Sequence, residues 1–295
     1  MLKGTVISNI SNLYRIEVEG GKIYNCHARG KIKNDEMSPV AGDKVEIEVI
    51  DEEKCTGVIN QIKVRNNYIK RPKMANINQI ILVVSMKLPK PDLELLDKQL
   101  AYAEYMKIKP IICLNKIDLE DENTIQKIED IYRNIGYSVI RTNAKKGVGI
   151  EKIRNQLQGK ITAFSGNSGV GKSTLINSIF KRDITQEGVI SKKNQRGKNT
   201  TTQVQLYKIT ENSYIADTPG FSTFEITEIK STDLCHYFIE FVLHIEKCEF
   251  VGCSHVKEQN CGIKKAVEEG KITQERYDRY CKIYEDLKTK EAKRW

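Results

Sequence analysis

The sequence has no long hydrophobic run. Its longest purely apolar stretch, Ile80-Ile81-Leu82-Val83-Val84, is five residues, against the roughly 20 that a membrane-spanning helix needs. No export signal is expected, since Met1-Leu2-Lys3-Gly4 leads into alternating rather than solidly apolar sequence. Acidic side chains are in the minority, 39 Asp+Glu against 48 Lys+Arg, and the net charge of +9 favours a polyanionic partner. What is present is enough for folded cores: 295 residues, 39% of them hydrophobic, exclude a disordered tail or a disulfide-stapled miniature and suggest two or three domains. Without an export route the eight cysteines belong in a reducing compartment, where a close Cys/His cluster means metal more often than disulfide. The expectation is a cytoplasmic monomer with no membrane contact.

The positive charge is uneven. Residues 1–68 carry 10 basic and 10 acidic side chains, residues 69–229 carry 25 and 17, and residues 230–295 carry 13 and 12. The middle segment contains the run Lys181–Lys198, with Lys181, Arg182, Lys192, Lys193, Arg196 and Lys198 against Asp183 and Glu187; such a run is either a solvated loop or a phosphate-backbone contact. Residues 1–65 read as short strands, with Tyr14, Ile16 and Val18 alternating with Arg15, Glu17 and Glu19. Several such strands predict a small barrel, OB-like or SH3-like. With only Tyr14, Tyr24 and Tyr68 as aromatics, the barrel itself carries little sign of base stacking. After the linker-like Arg71-Pro72-Lys73, apolar strands at 80–84, 111–114, 139–140, 161–164 and 214–216 alternate with helical patterns such as Leu93/Leu96/Leu100/Ala103. That alternation predicts a mostly parallel sheet covered by helices. A last helix carries Tyr277, Tyr280, Tyr284 and Leu287 on one stripe, read as core packing.

Gly166-Asn167-Ser168-Gly169-Val170-Gly171-Lys172-Ser173, followed by Thr174, fits the phosphate-loop pattern between a strand and a helix. Its backbone N–H groups would curl around a β-phosphate, Lys172 would neutralise β/γ oxygens, and Ser173 would ligate Mg²⁺. Asp217-Thr218-Pro219-Gly220 follows the strand at 214–216, where an Asp holds Mg²⁺ through water and a Gly N–H meets the γ-phosphate. Asn115-Lys116-Ile117-Asp118 follows another strand; an Asp there accepts both N1–H and the exocyclic amine of guanine, a donor pair adenine lacks, which selects GTP over ATP and argues against an ATP-dependent kinase. Thr142-Asn143-Ala144-Lys145 would complete the base pocket with a backbone N–H. Near the end, Cys248, Cys253, His255 and Cys261 form C-x4-C-x-H-x5-C. Three thiolates and one imidazole close a tetrahedral zinc site with no open position, which implies structure rather than catalysis. The short segment that holds them reads as poor in large apolar side chains and in need of such a staple. Cys26, Cys55, Cys113, Cys235 and Cys281 read as small hydrophobes.

The order of the motifs is unusual, because the two base-binding elements precede the phosphate loop. A circular permutation accounts for this at little structural cost, and it makes the segment after Asp217–Gly220 lead straight into the C-terminal domain. With this order, the stretch Arg196-Gly197-Lys198-Asn199-Thr200-Thr201 and the terminal Cys/His cluster, the whole chain resembles the RsgA/YjeQ family of circularly permuted GTPases. The resemblance implies an N-terminal OB-like β-barrel over 1–68, a central circularly permuted α/β P-loop GTPase domain over 69–229, and a mostly α zinc-binding domain over 230–295. It also implies binding to the small ribosomal subunit and its rRNA late in maturation, faster GTP hydrolysis to GDP when bound there, and the same four zinc ligands. Thr200 or Thr201 would contact Mg²⁺ and the γ-phosphate, and the basic run before them would contact rRNA. Two positions depart from expectation. Phe221 stands where a Ras-like enzyme has its water-orienting Gln, and Asn199 stands where the family usually offers a His; Asn can hydrogen-bond a water but cannot act as a general base. The alternative reading is therefore a GTP-regulated ribosome-binding switch with little hydrolysis of its own.

Overall fold

A computed structural model of the chain describes residues 1–30, 38–180, 204–217, 226 and 228–293. The alternating N-terminal residues form β1 (Leu2–Ile10), β2 (Leu13–Val18), β3 (Ile23–Ala28), β4 (Lys44–Asp51) and β5 (Thr56–Ile62). They close in the order β1-β2-β3-β5-β4-β1, with β3 and β5 parallel and the other pairs antiparallel. This Greek-key closure is that of an OB barrel rather than an SH3-like one. Its inward side chains, Val6, Tyr14, Ile16, Tyr24, Cys26, Val45, Ile47 and Ile59, form one core.

Arg71-Pro72 is the turn of a hairpin, not a linker. It joins β6 (Tyr68–Lys70) to β7 (Lys73–Ala75), and Ile69 and Met74 are buried in the core of the next domain. The Ala75 N–H donates to the Ala41 carbonyl at 2.9 Å, tying the hairpin to the loop before β4, and the buried Asp43 pairs with the partly buried Arg65 of the β5–β6 connection, whose Nε donates at 2.8 Å.

The central sheet runs β10 (Ser138–Thr142), β9 (Lys109–Asn115), β8 (Gln79–Ser85), β11 (Ile161–Ser165), β13 (Ser213–Asp217), β12 (Gln205–Thr210). All neighbours are parallel except β12, which turns back along β13 and touches the barrel at Ser8↔Gln205. Because β8 is buried on both faces it is a continuous apolar run, as central parallel strands are. Ile80, Leu82 and Val84 face α1 (Leu93–Tyr105) and α2 (Glu122–Ile135). Ile81 and Val83 face α3 (Ile150–Leu157) and α4 (Lys172–Phe180). Asp92 and Asp121 start α1 and α2 by accepting the backbone N–H three residues on, both at 2.9 Å, and Gly136 ends α2 in the left-handed region.

The C-terminal segment holds a 3-10 turn (Ser231–Tyr237), α5 (Val242–Ile245), α6 (Gly262–Glu268) and α7 (Gln274–Ala292). The expectation of few large apolar groups around the cysteines fails here: Leu234, Phe238, Phe241, Ile263, Tyr280, Ile283 and Leu287 form a core of their own. The tyrosine stripe of α7 packs into it, with Tyr280 and Tyr284 buried. No described helix is long and apolar enough to cross a membrane.

Candidate nucleotide site and metal centre

The carboxyl ends of β8, β9, β10, β11 and β13 all reach one edge of the sheet, the usual ligand edge of an open α/β fold. From β11 the chain enters the loop 166–171 and then α4, whose first residues are Lys172 and Ser173. Two of the loop glycines are sterically required. Gly166 has φ +142° and lies against the Val83 carbonyl, and Gly171 has φ +99° and lies against the Asn115 amide, so a Cβ at either would collide. Ser168 and Ser173 are exposed and Thr174 is half-buried, on a helix N-terminus suited to an anion and its cation. The Lys172 ammonium donates to the Gly166 carbonyl and, at 2.9 Å, to the Asn167 carbonyl. Burial pushes its pKa down, so a phosphate would relieve an ammonium held among neutral dipoles.

Asn115 ends β9 and is 1% exposed. Its Nδ2 donates to the Val170 carbonyl at 2.9 Å, while its Oδ1 accepts from the Thr142 hydroxyl at 3.0 Å and the Ala144 N–H at 3.2 Å. One side chain thus stitches the phosphate loop to the loop after β10. Lys116 adopts φ +61° and donates to the Gly169 carbonyl at 2.7 Å and to the Leu88 carbonyl. Asp118 is partly exposed, and Lys146 Nζ lies 3.7 Å from its carboxylate. Asn143 is buried and its Oδ1 accepts from the Lys146 N–H at 3.1 Å. The structure thereby brings together Asn115, Lys116, Ala144 and residues 166–172, and puts Asp118 and Asn143 on the adjoining turns. Asp217 ends β13, beside β11. Thr200, Thr201, Asn199, Gly220, Phe221 and the run Lys181–Lys198 lie outside the described residues.

Three residues that motif reading passes over also serve this edge. Asp92 Oδ2 accepts from Asn167 Nδ2 at 2.9 Å, Gln99 Nε2 donates to Ser165 Oγ at 2.9 Å, and Ser178 Oγ donates to the Ala144 carbonyl at 2.8 Å. Asp92 is visible in the sequence as a helix start before Leu93 and Leu96; the other two carry no local signal.

In the C-terminal domain the ligand atoms of Cys248, Cys253, His255 and Cys261 all lie within 4.8 Å of one another. A tetrahedral zinc requires edges of roughly 3.8 Å between sulfurs and ~3.6 Å between sulfur and nitrogen. Cys248 Sγ is 3.9 Å from Cys261 Sγ, and His255 Nδ1 is 3.5 and 3.3 Å from these two sulfurs, so the donor set fits. Burial pushes the His255 pKa down, keeping the imidazole neutral as a ligand must be. The Gly262 N–H donates to Cys248 Sγ at 3.3 Å. Tyr277 and Tyr280 donate their hydroxyls to the carbonyls of His255 and Ser254 at 2.7 and 3.0 Å, so the stripe on α7 also braces the ligand loop.

Comparison with known proteins agrees with this arrangement. The RsgA N-terminal domain model matches residues 3–59 and the RsgA GTPase model residues 62–227. The small ribosomal subunit biogenesis GTPase RsgA of Clostridium botulinum (strain Eklund 17B / Type B) is 41% identical over 295 residues, covering 100% of both chains. That of Alkaliphilus metalliredigens (strain QYMF) is 40% identical over 288 residues, covering 98% of each. Among solved structures, YjeQ from Thermotoga maritima matches with a TM-score of 0.84 at 38% identity over 97% of this chain and 98% of its own. YloQ, a circularly permuted GTPase, matches at 0.83 and 35% over 98% and 96%. With its fold, its motif order and its full length so matched, the chain belongs to the RsgA GTPase family.

Proposed function

We propose that this GTPase acts in late maturation of the small ribosomal subunit in the cytoplasm, as a monomer, and that binding to the subunit and its rRNA accelerates its hydrolysis of GTP to GDP and phosphate. The observation that carries this reading is Asn115, whose single side chain ties the phosphate loop to the base-side loop and so aligns one rigid guanine-nucleotide cradle along the sheet edge. Residues 166–174 wrap the phosphates, with Lys172 giving up its loop carbonyls for β/γ oxygens. Asp118 reads the guanine amide edge, with Asn143 and Ala144 shaping the far wall. Mg²⁺ held by Ser173, Asp217 and Thr200 or Thr201 supplies charge neutralisation at the phosphates. Gly220 offers an N–H to the γ-phosphate, and Asn199 is the side chain nearest in sequence for orienting water. One structural zinc is held by Cys248, Cys253, His255 and Cys261.

In this account residues 1–68, 69–229 and 230–295 are the working divisions, and Lys181–Lys198 meets rRNA. The second reading, a binding switch that hydrolyses little, is favoured by Asn199 and Phe221 together. Equilibrium binding of a fluorescent GTP analogue tests the site itself. GTP and GDP should displace it and ATP should not; ATP competing at similar concentration would contradict the role given to Asp118. Neutralising Lys192, Lys193 and Arg196 should lower the salt dependence of co-sedimentation with small subunits; an unchanged slope would remove the basic run from the contact.

A further inference from the structure

Helix α1 touches the phosphate loop and the end of the strand that feeds it, on either side of Gly166. At its start, Asp92 uses Oδ1 to cap the helix at Leu95 N and Oδ2 to accept from Asn167 Nδ2, each at 2.9 Å. Two turns on, the buried Gln99 donates to the buried Ser165 hydroxyl at 2.9 Å. Between these contacts Asp97, fully buried, receives Arg276 Nη1 and Arg279 Nε of α7, both at 2.5 Å, and the Tyr132 hydroxyl at 2.8 Å. Arg276 is 1% exposed, pairs also with Glu240, and stacks over Phe238 at 4.5 Å. Lys98 adds a rim contact to Asp286 of α7 at 3.0 Å. The same helix gives Leu96, Leu100 and Ala103 to the sheet's core and Ala101 and Tyr102 to the core of the Cys/His domain. A helix is stiff over this length, and Asp92 and Asp97 are only ~8 Å apart along its axis. A shift of α7 therefore moves the grip on the loop and the grip on the strand end before it together.

We propose that α1 is a strut through which the C-terminal domain sets the conformation of the phosphate loop, with Asp92 and Gln99 as positioning residues for guanine-nucleotide binding. This rests on the nucleotide-site reading above. The route is separate from the chain that follows Asp217–Gly220: it passes through packed side chains behind the loop. A partner that pulls on the C-terminal domain changes nucleotide affinity, and bound nucleotide changes affinity for that partner by the same factor.

The test is a double-mutant cycle in the full chain, using Asp92→Ser, Arg279→Ala and their combination. A fluorescent GTP analogue is titrated against each, and thermal midpoints are recorded. Ser still caps a helix but is too short to reach Asn167, so Asp92→Ser should weaken binding roughly fivefold or more with its thermal midpoint unchanged. Arg279→Ala, which touches no loop residue, should weaken it as well, and the double variant should bind no worse than the weaker single. Wild-type affinity in Arg279→Ala, or effects that multiply as those of independent sites do, would overturn the strut. If Arg279→Ala does not fold, Asp286→Ala cuts the Lys98 contact to the same helix and is read by the same rule. A wild-type chain that bound no GTP analogue would instead contradict the nucleotide site, which separates the two failures.

Discussion

Asn115 spends every polar atom of its side chain inside the fold, so its loss should show in nucleotide affinity and stability together. Asn115→Ala leaves the buried Ala144 N–H and Val170 carbonyl without that partner, at about 1–3 kcal/mol, and lets the two loops part. GTP affinity should fall at least tenfold; an affinity unchanged beside a lowered thermal midpoint would limit Asn115 to a structural role. The motif was legible in the sequence as a base-binding element, but its stitching role was not, because nothing local says that residues 115, 144 and 170 meet. Cysteine roles were more legible. Burial pushes Cys26 up to about 11 and Cys113 up to about 12. A thiol whose pKa lies above the solution pH is protonated and unreactive, so thiolate appears only as pH climbs toward those values. Alkylation at pH 8 without denaturant should leave both unmodified by mass spectrometry, and labelling of either in folded protein would contradict its placement.

At the scale of elements, α1 shows what periodicity can and cannot give. Leu93, Leu96, Leu100 and Ala103 announce a helix facing a sheet, and one is found there. Its other face, with Asp97, Ala101 and Tyr102 against α7, was not foreseeable, since charged residues are surface residues unless their partners are known. Arg276 sits in a helix of polar appearance and is nevertheless buried. Removing Asp97 strands Arg279 and leaves the buried Arg276 with Glu240 alone, so Asp97→Ala should destabilise the chain by about 3–5 kcal/mol. Denaturant titration checks this, and a loss under about 1 kcal/mol would show the network to be dispensable. The Arg71-Pro72-Lys73 turn is a second such case: three polar or constrained residues read as a linker until Ile69 and Met74 are seen packing on the neighbouring core.

For the whole molecule, the strongest sequence signal was the carboxyl edge of a parallel sheet, because contiguous apolar strands followed at once by Gly166–Ser173, Asn115–Asp118 and Thr142–Lys145 leave few other arrangements. The barrel type was open until the strands closed as β1-β2-β3-β5-β4. Cys248, Cys253, His255 and Cys261 were legible by spacing, whereas their support by Tyr277 and Tyr280 depends on the packing of α7. Protein purified without chelator should carry about one zinc per chain. Stripping it should loosen the aromatic core around Phe241 and Tyr280, seen as lost near-ultraviolet circular dichroism; absence of zinc as purified would contradict the metal centre. The central claim is that this fold hydrolyses GTP under the control of the small ribosomal subunit. Its most direct measurement is steady-state GTP turnover with and without purified small subunits, with Lys172→Ala alongside. The account predicts strong stimulation by the subunit that disappears in Lys172→Ala; turnover that the subunit leaves unchanged, with GTP still bound tightly, would contradict it.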